Sequence, residues 1–132
     1  MSTLKVNNLQ DVNGANNSTP EQVAQGRAKS WVNFNGDGTV AIRDDFNVSS
    51  ITDNGTGDYT VTFSSAMPNA NYAVALSHKE DTTDTTGSGA RPMMRRGAAG
   101  FYSTTAVRVI NSNTQNGLGV DAMIFNVIVF GD

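Results

Sequence analysis

The chain contains no cysteine. That excludes disulfide frameworks, thiolate metal centres and cysteine nucleophiles, and it leaves the redox compartment open. There is a single histidine, His78, which rules out a histidine-rich metal site. No Ser-x-Gly elbow accompanies it, so it has no nucleophile to serve. Charge is sparse as well. Charged residues make up 16% of the chain and the formal net charge is -3, below the quarter usual in globular domains. A weakly acidic, charge-poor surface does not suit nucleic-acid phosphates. No apolar run approaches the ~18 residues of a membrane-spanning helix. The opening MSTLKVNNLQ lacks the basic and apolar regions of a secretory signal. Synthesis and retention in the cytosol, with no membrane insertion, is the expectation.

Small polar residues are what the chain has in quantity. Asn, Thr, Ser and Gly account for 53 of the 132 residues. These residues favour turns and disfavour helix interiors, so the composition predicts a β-rich fold with many polar turns. The length suits one domain, large enough to bury a core without metal or disulfide.

Two regions differ in pattern. Residues 1–27 are predicted to form an N-terminal arm: a short strand bearing Leu4, Val6 and Leu9, a polar linker, then a helical turn. Thr19 is the expected N-cap, Pro20 the first helical residue and Gly26 the stop. Residues 28–132 read as strands. Residues 31–34 form a short one. Residues 39–48 place Val40, Ile42, Phe46 and Val48 on one face at period two. Residues 58–64 alternate cleanly, with Tyr59, Val61 and Phe63 opposite Thr60 and Thr62, which predicts a hairpin over 48–63 with its tip near Asp53-Asn54-Gly55. Further strands are expected at 72–78, 93–96, 101–110 and 121–130, with an irregular surface loop over 79–100. Seven or eight strands with turns at this spacing predict an all-β, antiparallel β-sandwich, jelly-roll-like, preceded by the arm.

The last strand, MIFNVIVF, is apolar on both faces except at Asn126. A strand with one wet face alternates, so this one is either central in the core or packed against another copy of the chain.

Residues 33–44, NFNGDGTVAIRD, nearly match a calcium-binding EF-hand loop, with Asn33, Asn35, Asp37, Gly38 and Asp44 on the pattern positions. The flanks are strand-like rather than helical, and the last ligand position holds Asp where the geometry wants a bidentate Glu. Asn-Gly and Asp-Gly are also favoured in hairpin turns, so a strand turn is expected, with no metal or cofactor. Glu80, Asp81 and Asp84 cluster in the polar loop, followed by Arg91, Arg95 and Arg96. Acids on such a loop are expected to be solvated rather than paired for catalysis, and the chain is not expected to be an enzyme. Arg95 and Arg96, with Tyr102 nearby, are candidates for contacting an anionic sugar or a partner protein.

The segments AKSWVNFNG, FNVSSITDNGTGDYTVTF and AMPNANYAV resemble a domain of tail-fibre and tail-associated proteins of tailed bacteriophages. TLKVNNLQ resembles short segments that precede a virion-attachment region, and NVIVFGD resembles the final strand of fibre tips. The resemblance implies a virion structural protein with a β-sandwich body, assembled as a homotrimer and without catalytic residues. It implies release within particles, a location in the virion, and contact with other tail or capsid proteins or with a host surface glycan or protein. On this view Leu4, Val6 and Leu9 anchor the chain. Ile124, Ile128 and Phe130 are the candidate trimer interface, and the loop 79–96 with Tyr102 faces outward. A capsid decoration protein of similar build, or a carbohydrate-binding module, is the alternative.

Overall fold

A computed structural model describes residues 2–15, 17–79, 89–94, 101–114 and 116–131. Eight strands and one short helix make up its regular elements: α1 (Pro20–Gln25), β1 (Ser30–Asn35), β2 (Ala41–Phe46), β3 (Val48–Gly55), β4 (Asp58–Phe63), β5 (Ala73–Lys79), β6 (Ala90–Met94), β7 (Ala106–Asn113) and β8 (Ile124–Phe130). They form two four-stranded sheets with orders β2-β1-β8-β5 and β3-β4-β7-β6. Every pairing is antiparallel. The all-β sandwich expected from the turn-rich composition is present. Its connectivity runs through three hairpins (β1-β2, β3-β4 and β6-β7) joined by crossings between sheets. Eight strands in two four-stranded antiparallel sheets are the part of the jelly-roll-like expectation that the structure establishes. Among the described residues, no helix is long and apolar enough to cross a membrane.

Alternating side chains build the core. Val32 and Phe34 of β1, Tyr59, Val61 and Phe63 of β4, Val107 and Val109 of β7, and Phe125, Val127 and Val129 of β8 are buried between the sheets. Phe34, Tyr59 and Phe125 form its centre: Tyr59 meets both phenylalanines edge-on at 5.1 and 5.7 Å, and the phenylalanines stack at 5.4 Å. Such pairs add about 0.5–1.5 kcal/mol each beyond area burial. The Tyr59 hydroxyl is not left unpaired. It lies 2.7 Å from the Gly36 carbonyl oxygen and 3.0 Å from Asp121 Oδ1.

Three local devices redirect the chain. Arg43 is an extra residue in β2: Asn33 pairs with Asp44 but Phe34 with Ile42. A bulge of this kind reverses which face the following side chains take. Ile42 therefore shares the inward side with Phe34, though on this edge strand it stays 37% exposed, whereas Phe46 pairs with Trp31 on the outside and is 54% exposed. The expectation that Phe46 shares a face with Ile42 and Val48 is corrected by this one residue.

Next, Asn47 ends β2 in the left-handed region (φ 57), turning the chain into the other sheet instead of continuing one strand through residue 48. Its amide donates to the Lys29 and Ser65 carbonyls, and its Oδ1 accepts from the Ser65 N–H at 2.7 Å. Third, Ser103 Oγ accepts from the Ala106 N–H at 2.9 Å, a side-chain turn that delays β7 to Ala106. The expected strand over 101–110 is shifted accordingly.

At its far end β7 continues through Asn111, Ser112 and Asn113, beyond the expected end at residue 110. The backbone groups of Asn111 and Asn113 are bonded by Gly57 and by the 118–120 segment. The β3-β4 hairpin forms as predicted, with its turn at Thr56-Gly57. β6 occupies Ala90–Met94, earlier than expected.

The arm precedes this body. Leu9 and Ser18 exchange two backbone hydrogen bonds at 2.8 Å, closing a loop pinned by Asp11 Oδ1. Helix α1 starts as the sequence predicts: Thr19 Oγ1 accepts from the Gln22 N–H and Gln22 Oε1 from the Thr19 N–H, a reciprocal cap. The helix buries none of its residues.

Candidate interaction surfaces

The two sandwich faces differ in chemistry. On the outer face of the β3-β4-β7-β6 sheet, register places Ser50, Thr52, Thr60, Thr62, Asp58 and Arg108. Asp58 and Arg108 form a two-point ion pair, Nε–Oδ1 2.7 Å and Nη2–Oδ2 2.8 Å. That bond holds the guanidinium above its ordinary pKa. The Arg108 guanidinium also lies 5.6 Å from the Phe101 ring centre. Register also puts Ile110, Met93 and Arg91 on this face, so it is mixed in character, with the Asp58–Arg108 pair at its middle.

The outer face of β2-β1-β8-β5 is organised in rows. Phe46, Trp31, Ile128 and Ala75 lie side by side, one from each strand. Phe130 and Ala73 form the adjoining row toward the strand end. Ile128 and Phe130 are each 37% exposed, and Trp31 is half-buried. A hollow of about 500 Å³ beside Trp31 and Phe46 is walled by Arg27, Ala28 and Lys29, where the arm joins the body. The next row is polar. Asp44, Asn33, Asn126 and Ser77 line up, with Asn33 Nδ2 donating to Asn126 Oδ1 (2.6 Å) and Asn126 Nδ2 to Ser77 Oγ (3.1 Å).

β8 is thus central in its sheet, and this accounts for its inner apolar set. The outer set remains exposed. The three residues singled out on it share that face, but the amide row separates Ile124 from Ile128 and Phe130. Ile124 lies beside Lys79. Trp31 and Phe46 extend the apolar row and were not recognisable as its members from sequence. Trp31 sits in a short run without flanking contrast, and Phe46 is turned outward by the bulge.

Of the candidate partner contacts, Arg95 and Arg96 lie outside the described residues, as does most of the 79–96 loop. Tyr102 is 40% exposed, with its ring tilted 40° against Tyr72 at 5.2 Å. Tyr72 itself is buried, its hydroxyl bonded to the Ser103 and Ala106 carbonyls. Burial pushes its pKa up to about 12.

The calcium-like stretch is the β1-β2 hairpin. Gly38 takes the left-handed conformation (φ 63), and the Asn35 amide donates to the Asp37 and Thr39 carbonyls of its own turn. Asn33 is engaged with Asn126 instead. Among the described residues, no group of three or more metal-ligating side chains comes together.

In the arm, Leu4 is 82% exposed, Val6 38%, Leu9 43% and Val23 46%. These four, with Pro20, line one apolar hollow of about 500 Å³. Leu4, Val6 and Leu9, grouped from their spacing, are therefore together in space, and the helix adds Val23.

Comparison with known proteins finds no matching family model, no similar curated protein and no similar solved structure.

Proposed function

We propose that this chain is a structural protein of a tailed-bacteriophage virion, a tail-fibre or tail-appendage subunit that works as a homotrimer. The observation that carries the assembly is the contrast between the two sandwich faces. One is largely polar, with Ser50, Thr52, Thr60 and Thr62 around the Asp58–Arg108 pair. The other presents Phe46, Trp31, Ile128, Ala75 and Phe130 as a contiguous apolar strip. Contiguous exposed apolar patches on a sandwich mark interaction sites. A symmetric assembly repeats the strip on every copy, and copies then cover one another. The likeness of the 27–77 segment and the last strand to tail-fibre domains supports three as the copy number and the virion as the place.

The division of labour follows from burial. The arm has an apolar cluster but no buried residue in its helix, which suits a segment that orders on a partner. Its proposed partner is another virion protein, reached through Leu4, Val6 and Leu9. The body, with Tyr102 and the 79–96 loop, faces the host surface or a neighbouring virion protein. The role is binding and architecture, not catalysis. Phage particles assembled with a chain lacking residues 1–25 test this. The shortened chain is expected to fold and to be missing from purified virions. Normal incorporation of the shortened chain would overturn the attachment role.

A further inference from the structure

Each sheet has two free edges, and a free edge exposes backbone N–H and C=O groups that can pair with another strand. Three of the four carry a device against such pairing. β2 has the Arg43 bulge followed by Asp44 and Asp45. β3 has register shifts at both ends, between Val48 and Ser50 and between Asp53 and Gly55. β6 is five residues long with Pro92 at its centre. β5 differs from all of them. Over Ala73–Ser77 it carries no Pro, Gly or charge, and its one charged residue, Lys79, stands at the very end of the strand. Its register with β8 is unbroken from Ala73–Phe130 to Lys79–Ile124. Among the described residues, no strand pairs with its outer edge.

The same chain holds a segment lacking a partner. Residues 2–6 belong to no strand or helix, and residues 4–7 alternate Leu, Lys, Val, Asn. The arm's backbone hydrogen bonds from Leu9 to Gly26 run to other arm residues, so within one chain this segment and the β5 edge stay apart.

We propose that the Ala73–Ser77 edge of β5 accepts residues 3–7 of a second copy as a fifth strand of the sheet. Strand addition supplies main-chain hydrogen bonds for affinity, and alternate side chains set the register. Leu4 and Val6 then lie on the side of Val74 and Leu76, which pack against the core from the sheet margin. Lys5 and Asn7 lie on the outer side beside Ala73, Ala75 and Ser77. A two-fold β5–β5 contact would close the edge but leave Leu4 and Val6 exposed. Arm exchange covers both, and as a head-to-tail contact it forms a closed ring when the rotation between copies closes. The inference rests on the proposed self-assembly and not on the virion role, and it gives Leu4 and Val6 to the second copy in place of the virion attachment proposed for them.

The absence of cysteine allows a direct test. Full-length Lys5→Cys chain is mixed and co-assembled with full-length chain carrying Ala73→Cys, Ala75→Cys or Ser77→Cys, then oxidised. The expected result is a disulfide-linked band at twice the 14.0 kDa chain mass for at least one of the three mixtures, containing one chain of each kind. Chains carrying both cysteines that close only within themselves would overturn the exchange. So would β5 cysteines that link to each other in preference to the arm. A trimer by light scattering with no arm–β5 link in any mixture would sink this inference alone, whereas a monomer would sink the assembly beneath it. Amide exchange gives an independent readout without substitution on β5. Residues 73–77 are expected to exchange at least tenfold faster once residues 1–8 are removed, and an unchanged rate would contradict the pairing.

Discussion

Trp31 and Phe46 stand opposite each other on β1 and β2, outside the sandwich, and Ile128 of β8 flanks Trp31 on its other side. A half-buried tryptophan between two exposed apolar side chains has no role in this chain's own core. Ile128→Asp places a charge in the middle of that row. The substitution leaves the inner face untouched, so its cost to folding is expected to be about 1 kcal/mol, the span of strand propensities. The assembly is expected to fall to monomer, as seen by light scattering beside an unchanged far-ultraviolet spectrum. Ser50→Asp, on the polar face of the other sheet, is expected to leave the mass unaltered.

Asn47 is the hinge between the sheets, and its two contributions separate by substitution. Asn47→Gly keeps the left-handed backbone and loses the side-chain bonds to Lys29 and Ser65. The side chain makes three such bonds, so a loss of about 3 kcal/mol is expected at ~1 kcal/mol per bond. Asn47→Ala loses the same bonds and adds the left-handed penalty of roughly 1 kcal/mol or more. Denaturant unfolding should therefore rank wild type above Gly above Ala. Alanine equal to or better than glycine would contradict the corner geometry.

Two glycines with nearly the same backbone angle predict different outcomes. At Gly38 (φ +63) an added Cβ meets nothing within 4 Å, so Gly38→Ala is expected to cost only the left-handed strain, about 1 kcal/mol. At Gly57 (φ +67) it runs into the Asn111 carbonyl oxygen and comes within 2.6 Å of the Val120 nitrogen. Those atoms are backbone and cannot rotate away. Gly57→Ala is expected to cost at least 2 kcal/mol more than Gly38→Ala, in the range of overpacked sites.

Tyr59 and Tyr72 set an alkaline limit. Burial raises both phenols above their ordinary pKa, and for Tyr59 the adjacent Asp121 carboxylate raises it further. A raised folded pKa means that the neutral form is favoured by folding. The stabilisation is complete below the unfolded value near 10 and is lost as pH rises toward the folded values. Stability is expected to fall steadily above about pH 10. Phenolate absorbance from these two tyrosines should appear only with unfolding. Tyr59→Phe is expected to flatten that pH dependence while lowering stability at neutral pH, since it leaves Asp121 Oδ1 without its phenol partner. Reversible ionisation of all three tyrosines in the folded state would contradict the burial.

Much of the fold is legible because strand alternation reports burial directly. Tyr59, Val61 and Phe63 against Thr60 and Thr62 state both the element and its inner face. Thr19-Pro20 with Gln22 states the helix start. The 33–44 segment was correctly resolved toward a turn because its flanks alternate. What sequence hides is irregularity one residue long. Arg43 as a bulge turns Phe46 outward, and Asn47 breaks one apparent strand into two on different sheets. Neither residue type announces this, since Arg is common in strands and Asn is common everywhere in this chain. Asn111, Ser112 and Asn113 look like loop residues until Gly57 and the 118–120 segment supply their hydrogen bonds. The apolar strip followed the same rule: Ile128 and Phe130 were visible on β8, whereas their partners Trp31 and Phe46 come from strands whose faces depend on the bulge.

The central claim is that the outer face of the β2-β1-β8-β5 sheet is covered by other copies of the chain. The solution mass of the purified full-length protein, by light scattering across a hundredfold concentration range, tests it most directly. The account predicts three times the 14.0 kDa chain mass, falling to a single chain in the Ile128→Asp variant. A wild-type monomer over the whole range would contradict it.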